Sequence, residues 1–328
     1  MISYPIVVTT IFPPSKAIKL YVKYKHKLIV IGDSKTPSNW KYKNCDYYPI
    51  ASQHKMFPTF SKIIPLNHYA RKNLGYLIAM KACSSFIETD DDTFPYDHFP
   101  KLINGKTITL IKSKELFFNA YKYATFGKTT VWQRGYPLQL ILNKSNFLEK
   151  SLLSNNYEFP IQQGLINGDT DVDAIYRLVN NEKITFKSNC NFSIDSGVYS
   201  PINSQNTFWK RNAFLFMYLP SFVSPRVTDI YRGYIAQRML KEINEYVSFT
   251  APSTYQIRNP HNYIKDFKDE MDLYLSIEEF VTCLDKMKLN GSIENKYLML
   301  FKQLNKYGFI IQDEIDAVSH WIKEVSKL

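Results

Sequence analysis

The chain predicts an α/β fold built on a parallel sheet, and three observations point there. Ile6-Val7-Val8-Thr9-Thr10 and Lys27-Leu28-Ile29-Val30-Ile31 are β-branched runs without polar alternation, as strands buried on both faces require. Between them, Ala17, Ile18, Tyr21 and Val22 recur at helical spacing behind Pro13-Pro14, so the order is strand, helix, strand. The 328 residues, with 45% hydrophobic content, also suffice for a packed core. In such sheets ligands gather beyond the carboxyl ends of the strands, where Thr9, Thr10, Phe12 and Asp33 fall.

The later elements follow in order. Residues 36–66 are rich in Pro, Tyr, Lys and Asn with little periodicity and are expected to be irregular, with one short strand at 47–50. Residues 67–81 read as a helix. Arg71 and Lys72 in its first turns gain nothing from the helix dipole, whose N-terminal end is positive, so an anionic partner is expected beside them. That helix leads through a strand ending near Ile87 into Glu88-Thr89-Asp90-Asp91-Asp92-Thr93-Phe94-Pro95. Three adjacent aspartates repel one another unless a cation sits among them, and hard divalent ions take oxygen ligands and bridge phosphates. Taken alone, the run is equally a solvated turn.

Further on, residues 107–111 read as a strand, and Thr130-Val131-Trp132-Gln133-Arg134-Gly135-Tyr136-Pro137 precedes another apolar stretch. Asp169, Asp171 and Asp173 stand just before a helix starting near Ala174. Aspartates there cap and charge the helix, worth ~1 kcal/mol, yet three in five residues exceed what a cap needs. Asp229 occupies a second such start, whose helix continues to about residue 246. Residues 1–265 are expected to form the main domain and 266–328 a helical extension. In the extension Ser276 and Glu279 make a capping-box pattern, and two further helices follow at about 292–306 and 312–327.

The net charge of +11 is uneven: acids outnumber bases 12 to 8 from Asp266 onward, leaving +15 on residues 1–265. Such a field attracts phosphorylated ligands, nucleic acid or an anionic membrane surface without choosing among them. The four cysteines show no CxxC pair and no zinc spacing, so reduced thiols are expected. No stretch reaches the ~18 apolar residues of a membrane span, and the N-terminal run is too short for an export signal. A cytoplasmic location follows as the expectation, with peripheral contact at the inner face of a membrane left open.

Several separated stretches share one pattern: residues 8–14, Gly32-Asp33-Ser34-Lys35-Thr36-Pro37, Arg71-Lys72-Asn73-Leu74-Gly75-Tyr76-Leu77, the acidic run, Trp132 to Leu138, residues 162–178 and Arg226 to Tyr234. In this order, across about residues 5–265, the sequence resembles the STELLO-type proteins, a group of GT-A-like glycosyltransferase domains. It is more distantly similar to the reversibly glycosylated polypeptides that include UDP-arabinopyranose mutases. Plant members carry a membrane anchor ahead of the domain; none is expected here, and their Golgi location is not carried over.

The resemblance implies a GT-A-like (Rossmann-like) mixed, mostly parallel sheet flanked by helices, with a C-terminal helical appendage. It implies that Asp90 and Asp92, as a DxD-like pair, hold Mn²⁺ or Mg²⁺, joined by His261 on grounds of position; an imidazole ligand would favour manganese. Thr9, Thr10, Phe12 and Asp33 would hold the nucleoside, Arg71 and Lys72 would approach phosphate or ribose, and Asp91 would face ribose or sugar. Trp132 and Arg134 would complete the sugar pocket. Asp229 is the first choice for the base that deprotonates an acceptor hydroxyl, with Asp171 and Asp173 as rivals. The expected activity is metal-dependent transfer of a sugar from a nucleotide-sugar donor, a UDP-sugar above others, to a glycan or lipid-linked acceptor. The alternatives are a nucleotide-sugar mutase or self-glycosylating protein, and a non-catalytic basic nucleic-acid-binding protein. Against the last, no nucleic-acid module is recognised, and the acidic triplet would repel phosphate in the absence of metal.

Overall fold

The computed structural model describes residues 4–104, 107–126, 130–143, 148–153, 157–180, 182–258 and 262–328. Strand β1 (Ile6–Thr10) runs through helix α1 (Lys16–Lys23) to β2 (Leu28–Gly32), as the sequence predicts. Ser15 caps α1, its hydroxyl accepting from the Ile18 amide at 3.1 Å. Strand β3 (Cys45–Tyr48) follows, then two short helices, α2 (Ile50–Met56) and α3 (Phe60–Ile63), within the stretch expected to be irregular. A buried glutamine does there what periodicity does not: Gln53 Nε2 donates to the carbonyls of Gly32 at 2.7 Å and Tyr48 at 2.8 Å, tying α2 to the sheet.

Helix α4 (Lys72–Ala82) delivers the chain to β4 (Ser85–Thr89), and β5 (Thr93–Pro95) lies just past the acidic run. Gly75 sets the depth of α4 on the sheet, since a Cβ there would stand 2.6 Å from Val7 Cγ1 and 2.8 Å from Ile31 Cγ1. The second half supplies β6 (Ile108–Ser113), α5 (Ala120–Ala124), β7 (Leu148–Leu153), β8 (Ile161–Gly168), α6 (Ala174–Val179), β9 (Phe192–Ile194), β10 (Asn206–Lys210), α7 (Thr228–Glu242) and β11 (Val247–Gln256).

These strands form one sheet in the order β3-β2-β1-β4-β10-β8-β11-β9-β6-β7, with β5 paired to β11. Strands β1 to β4, β8, β11 and β7 run one way and β10, β9, β6 and β5 the other, so the sheet is mixed and mostly parallel. Ile6, Val8, Leu28 and Val30 pack against Ile18 and Tyr21 of α1, whereas Val7, Ile29 and Ile31 join the cluster that holds Leu74 and Leu77 of α4. Both faces of the first strands are therefore covered, which explains their unbroken apolar runs. This is the GT-A-like α/β architecture with C-terminal helices that was expected. The carboxyl ends of β1, β2, β4, β8 and β11 open on one side.

After β11 come α8 (Tyr263–Asp269), α9 (Met271–Lys286), α10 (Ile293–Lys306) and α11 (Gln312–Val325). Helix α9 starts five residues before the capping-box pattern read at Ser276. Ser276 lies inside the helix and its hydroxyl donates back to the Asp272 carbonyl at 2.6 Å, so the pattern marks no boundary. The apolar core continues from the sheet into these helices: Phe280 stacks on Tyr231 at 4.1 Å, and Trp321 Nε1 donates to the Leu215 carbonyl at 2.8 Å.

One buried carboxyl secures the last helix. Glu314 accepts from the amides of Ser221 at 2.8 Å and Phe222 at 2.9 Å and from the Tyr218 hydroxyl, and burial pushes its pKa up. Glu314→Ala would strand two amides and a phenol, so a loss of about 2–3 kcal/mol is expected, read by urea unfolding, with Glu314→Gln losing less. Equal midpoints for Glu314→Ala and the parent would refute this role.

Candidate active site

A cleft of about 330 Å³ opens at the carboxyl ends of β1, β2 and β4, lined by Thr9, Thr10, Phe12, Asp33, Tyr69 and Asp90 to Asp92 among others. The fold dictates its position: strand order reverses about β1, and the crevice forms where loops part to either side. The loop after β1 is pinned on three sides. Thr36 Oγ1 donates to the Thr10 carbonyl at 2.7 Å, Trp40 Nε1 donates to the Phe12 carbonyl at 3.1 Å, and Ser15 Oγ donates to the Asp91 carbonyl at 2.5 Å. Phe12 is left half exposed at the rim.

The acidic run divides by environment. Glu88 is fully buried and paired with Arg232 at 2.9 Å, with Tyr76 and Trp209 also donating to it; it belongs to the core. Asp90 accepts from the Tyr69 hydroxyl at 2.5 Å and from the buried Lys72 ammonium at 3.0 Å. Asp91 accepts from Thr10 Oγ1 at 2.5 Å, and Asp92 from Gln256 Nε2 at 3.2 Å. Burial, and then the neighbouring charge of Asp90, pushes the Asp91 carboxyl up to about 6; burial followed by Asp90 and Asp91 pushes Asp92 up too. The three carboxylates thus stand under mutual repulsion.

Whether the site suits a divalent ion follows from its donors. The side chains offer hard carboxylate oxygens, a hydroxyl and an amide oxygen, the set that Mg²⁺ or Mn²⁺ takes. Among the described residues, however, no three His, Cys, Asp or Glu side chains already form a metal cage. His261 lies outside the described residues.

Arg71 and Lys72 part company. Arg71 is buried and donates to Gln53 Oε1 and to the carbonyls of Ser61 and Ile64, both at 3.0 Å, so its head group holds the α2–α3 segment. Lys72 donates to Tyr69 at 2.7 Å and to the Ser204 carbonyl at 3.1 Å as well as to Asp90. The anion expected beside it is the chain's own Asp90.

The remaining candidates meet one layer deeper. Arg134 grips Asp171 through Nε and Nη2, both at 2.9 Å, and Asp229 through Nη1 and Nη2, both at 3.0 Å. Gly135, at φ +82, makes the turn that aims it, and Tyr234 of α7 donates to the Gly135 carbonyl at 2.9 Å. Burial pushes the Asp171 carboxyl up, but Arg134, with Arg226 and Arg258 behind it, more than offsets this and holds it below its usual value. Asp173 caps α6, accepting from the Tyr176 amide at 2.7 Å, and also accepts from Trp132 Nε1 at 2.6 Å; burial raises it to about 6. Ser204 links this layer to the cleft, bonding Tyr69 at 2.5 Å and Asp229 at 3.2 Å. As arranged, Asp229 has both carboxylate oxygens engaged by the Arg134 guanidinium.

Tyr69, Ser204 and Gln256 were not read as site residues from sequence. Each is a lone polar side chain without a motif; the turn before α4, the pairing of β10 with β4 and the pairing of β11 with β5 bring them to the acidic run.

Comparison with known proteins adds relatives at the level of sequence. A family profile described as "STELLO glycosyltransferases" matches residues 226–328, which include α7 and the C-terminal helices. Two Arabidopsis thaliana proteins, "Probable glycosyltransferase STELLO2" and "Probable glycosyltransferase STELLO1", are each 25% identical to this chain over 98% of its length. The chain spans 44% of the length of either relative. Among the described residues no helix is long and apolar enough to cross a membrane. The resemblance to the STELLO-type glycosyltransferases, read first from separated motifs, therefore holds along nearly the whole chain.

Proposed function

We propose that the chain is a glycosyltransferase that binds a nucleotide-sugar donor in the cleft at the ends of β1, β2 and β4. The observation that carries this reading is the close placement of three aspartates beside a nucleoside-sized crevice at the strand-order reversal. Asp33 and Thr10 offer acceptors and a donor to base or ribose, and the half-exposed Phe12 ring offers an apolar wall. Asp92, with Asp90, is the proposed holder of Mn²⁺ or Mg²⁺, which would neutralise a diphosphate leaving group. Lys72 and Tyr69 fix Asp90, while Asp171 and Asp229 fix Arg134 in the layer behind; the acceptor is proposed to be a glycan or lipid-linked hydroxyl.

The test is incubation with Mn²⁺ and a panel of nucleotide sugars, with and without candidate acceptors. Release of free nucleotide that depends on acceptor is the expected result. Interconversion of the donor with no acceptor present would replace transfer by isomerisation.

A further inference from the structure

Beside the cleft, the carboxyl ends of β8 and β11 gather four guanidinium groups, those of Arg134, Arg177, Arg226 and Arg258. Two have dedicated carboxylates. Arg134 is gripped by Asp171 and Asp229, and Arg226 donates through Nε to Glu270 at 2.8 Å. The other two do not. Arg258 Nη2 lies 3.8 Å from an Asp171 oxygen that already accepts from Arg134; Arg177 Nη2 donates to the Thr170 carbonyl at 2.6 Å, but its Nη1 lies 3.9 Å from Asp169. Their side chains are only 6% and 5% exposed. Arg258 Nη1 and Arg177 Nε have no hydrogen-bond partner among the described residues.

Orphaned charged donors at that depth are costly, and so is their mutual repulsion. Burial, followed by Arg226 and then by Arg177 and Arg134, lowers the Arg258 pKa, while Asp171 opposes the shift only in part. A water molecule would satisfy the N–H groups and leave the field unchanged; an oxyanion would answer both. The site adjoins the cleft, because Gln256, two residues before Arg258, donates to Asp92. Asp169 joins the pair: its carboxylate accepts from the Arg258 amide at 3.2 Å.

We propose that Arg177 and Arg258 form an oxyanion subsite that takes a phosphate or carboxylate carried by the acceptor, so that the substrate is an anionic one. The role of acceptor rests on the transferase reading above; the anion site itself does not. Planar guanidinium forks suit both groups, so the chemistry is shared and the source is read by experiment.

The experiment is thermal unfolding of the intact chain in EDTA, with inorganic phosphate, glucuronate, or glucose at matched ionic strength. Without metal the acidic run repels anions, and a response that the Met variants lose reports the arginines rather than the surface lysines. Phosphate or glucuronate is expected to raise the melting temperature saturably while glucose does not, and the stronger of the two names the acceptor's charged group. Arg258→Met and Arg177→Met should each weaken that response about tenfold or more, and Arg258→Lys should retain part of it. UDP binding in Mn²⁺ reports that the variants are folded. No shift beyond matched chloride in the parent, or an undiminished shift in both Met variants, would overturn the proposal. Loss of UDP binding by the parent would instead sink the donor site and leave the anion result standing.

Discussion

Asp92→Ala is expected to remove metal-dependent nucleotide binding, by about 100-fold or more, without lowering the melting temperature of the ligand-free protein. The two halves of that expectation have one cause. Asp92 receives only a 3.2 Å amide bond from Gln256 and is pushed toward its neutral form by burial and by Asp90 and Asp91, so the fold gains nothing from its charge. Asp90→Ala should behave differently. It would leave the Lys72 ammonium, whose side chain is fully buried, with only neutral partners, at a stability cost of about 3 kcal/mol. Thermal shifts with Mn²⁺, UDP and both together separate binding from folding. Unaltered Mn²⁺-dependent UDP binding by Asp92→Ala would refute the central assignment of the cleft.

Arg134→Met should produce the largest loss of stability of any single change at the site, about 3–5 kcal/mol at pH 7.5, because it takes from two buried carboxylates the guanidinium that bonds them both. The loss should also depend on pH in a defined sense. In the parent, Asp171 is held below its unfolded value of about 3.9, so its contribution is present above that pH and fades as pH falls through the lower folded value. In Arg134→Met the strongest counter-charge is gone, and burial, now opposed only by Arg226 and Arg258, raises the Asp171 carboxyl. The penalty is then full at high pH and relieved as pH falls and that carboxyl protonates. Melting temperatures of parent and variant should therefore converge between pH 7.5 and 5. A gap that stayed constant over that range would show that the Arg134 network is not electrostatic in origin.

What the sequence made legible depended on whether the signal was local. The β1-α1-β2 start was readable because β-branched runs and the helical spacing of Ala17, Ile18, Tyr21 and Val22 behind Pro13-Pro14 act within a few residues. Helices α2 and α3 were not, since Gln53 and Arg71 hold them by hydrogen bonds that leave no apolar period. The capping-box pattern at Ser276 misled for a related reason: a serine can satisfy its hydroxyl on the preceding turn and sit inside a helix. Thr10, Asp33 and the aspartates could be placed at the cleft because they end strands. By contrast, residues adjacent in sequence need not work together, since Arg71 turns to the α2–α3 segment and Lys72 to Asp90. Asp173 fell between the two cases, its capping role readable and its bond from Trp132 supplied only by the tertiary fold.

The Lys72–Asp90 pair has one more consequence, for how the cleft is held together. The ammonium sealed beneath Asp90 also donates to the Tyr69 hydroxyl and to the Ser204 carbonyl, so a single side chain joins the turn before α4, the end of β4 and the approach to β10. Lys72→Met would remove all three ties at once.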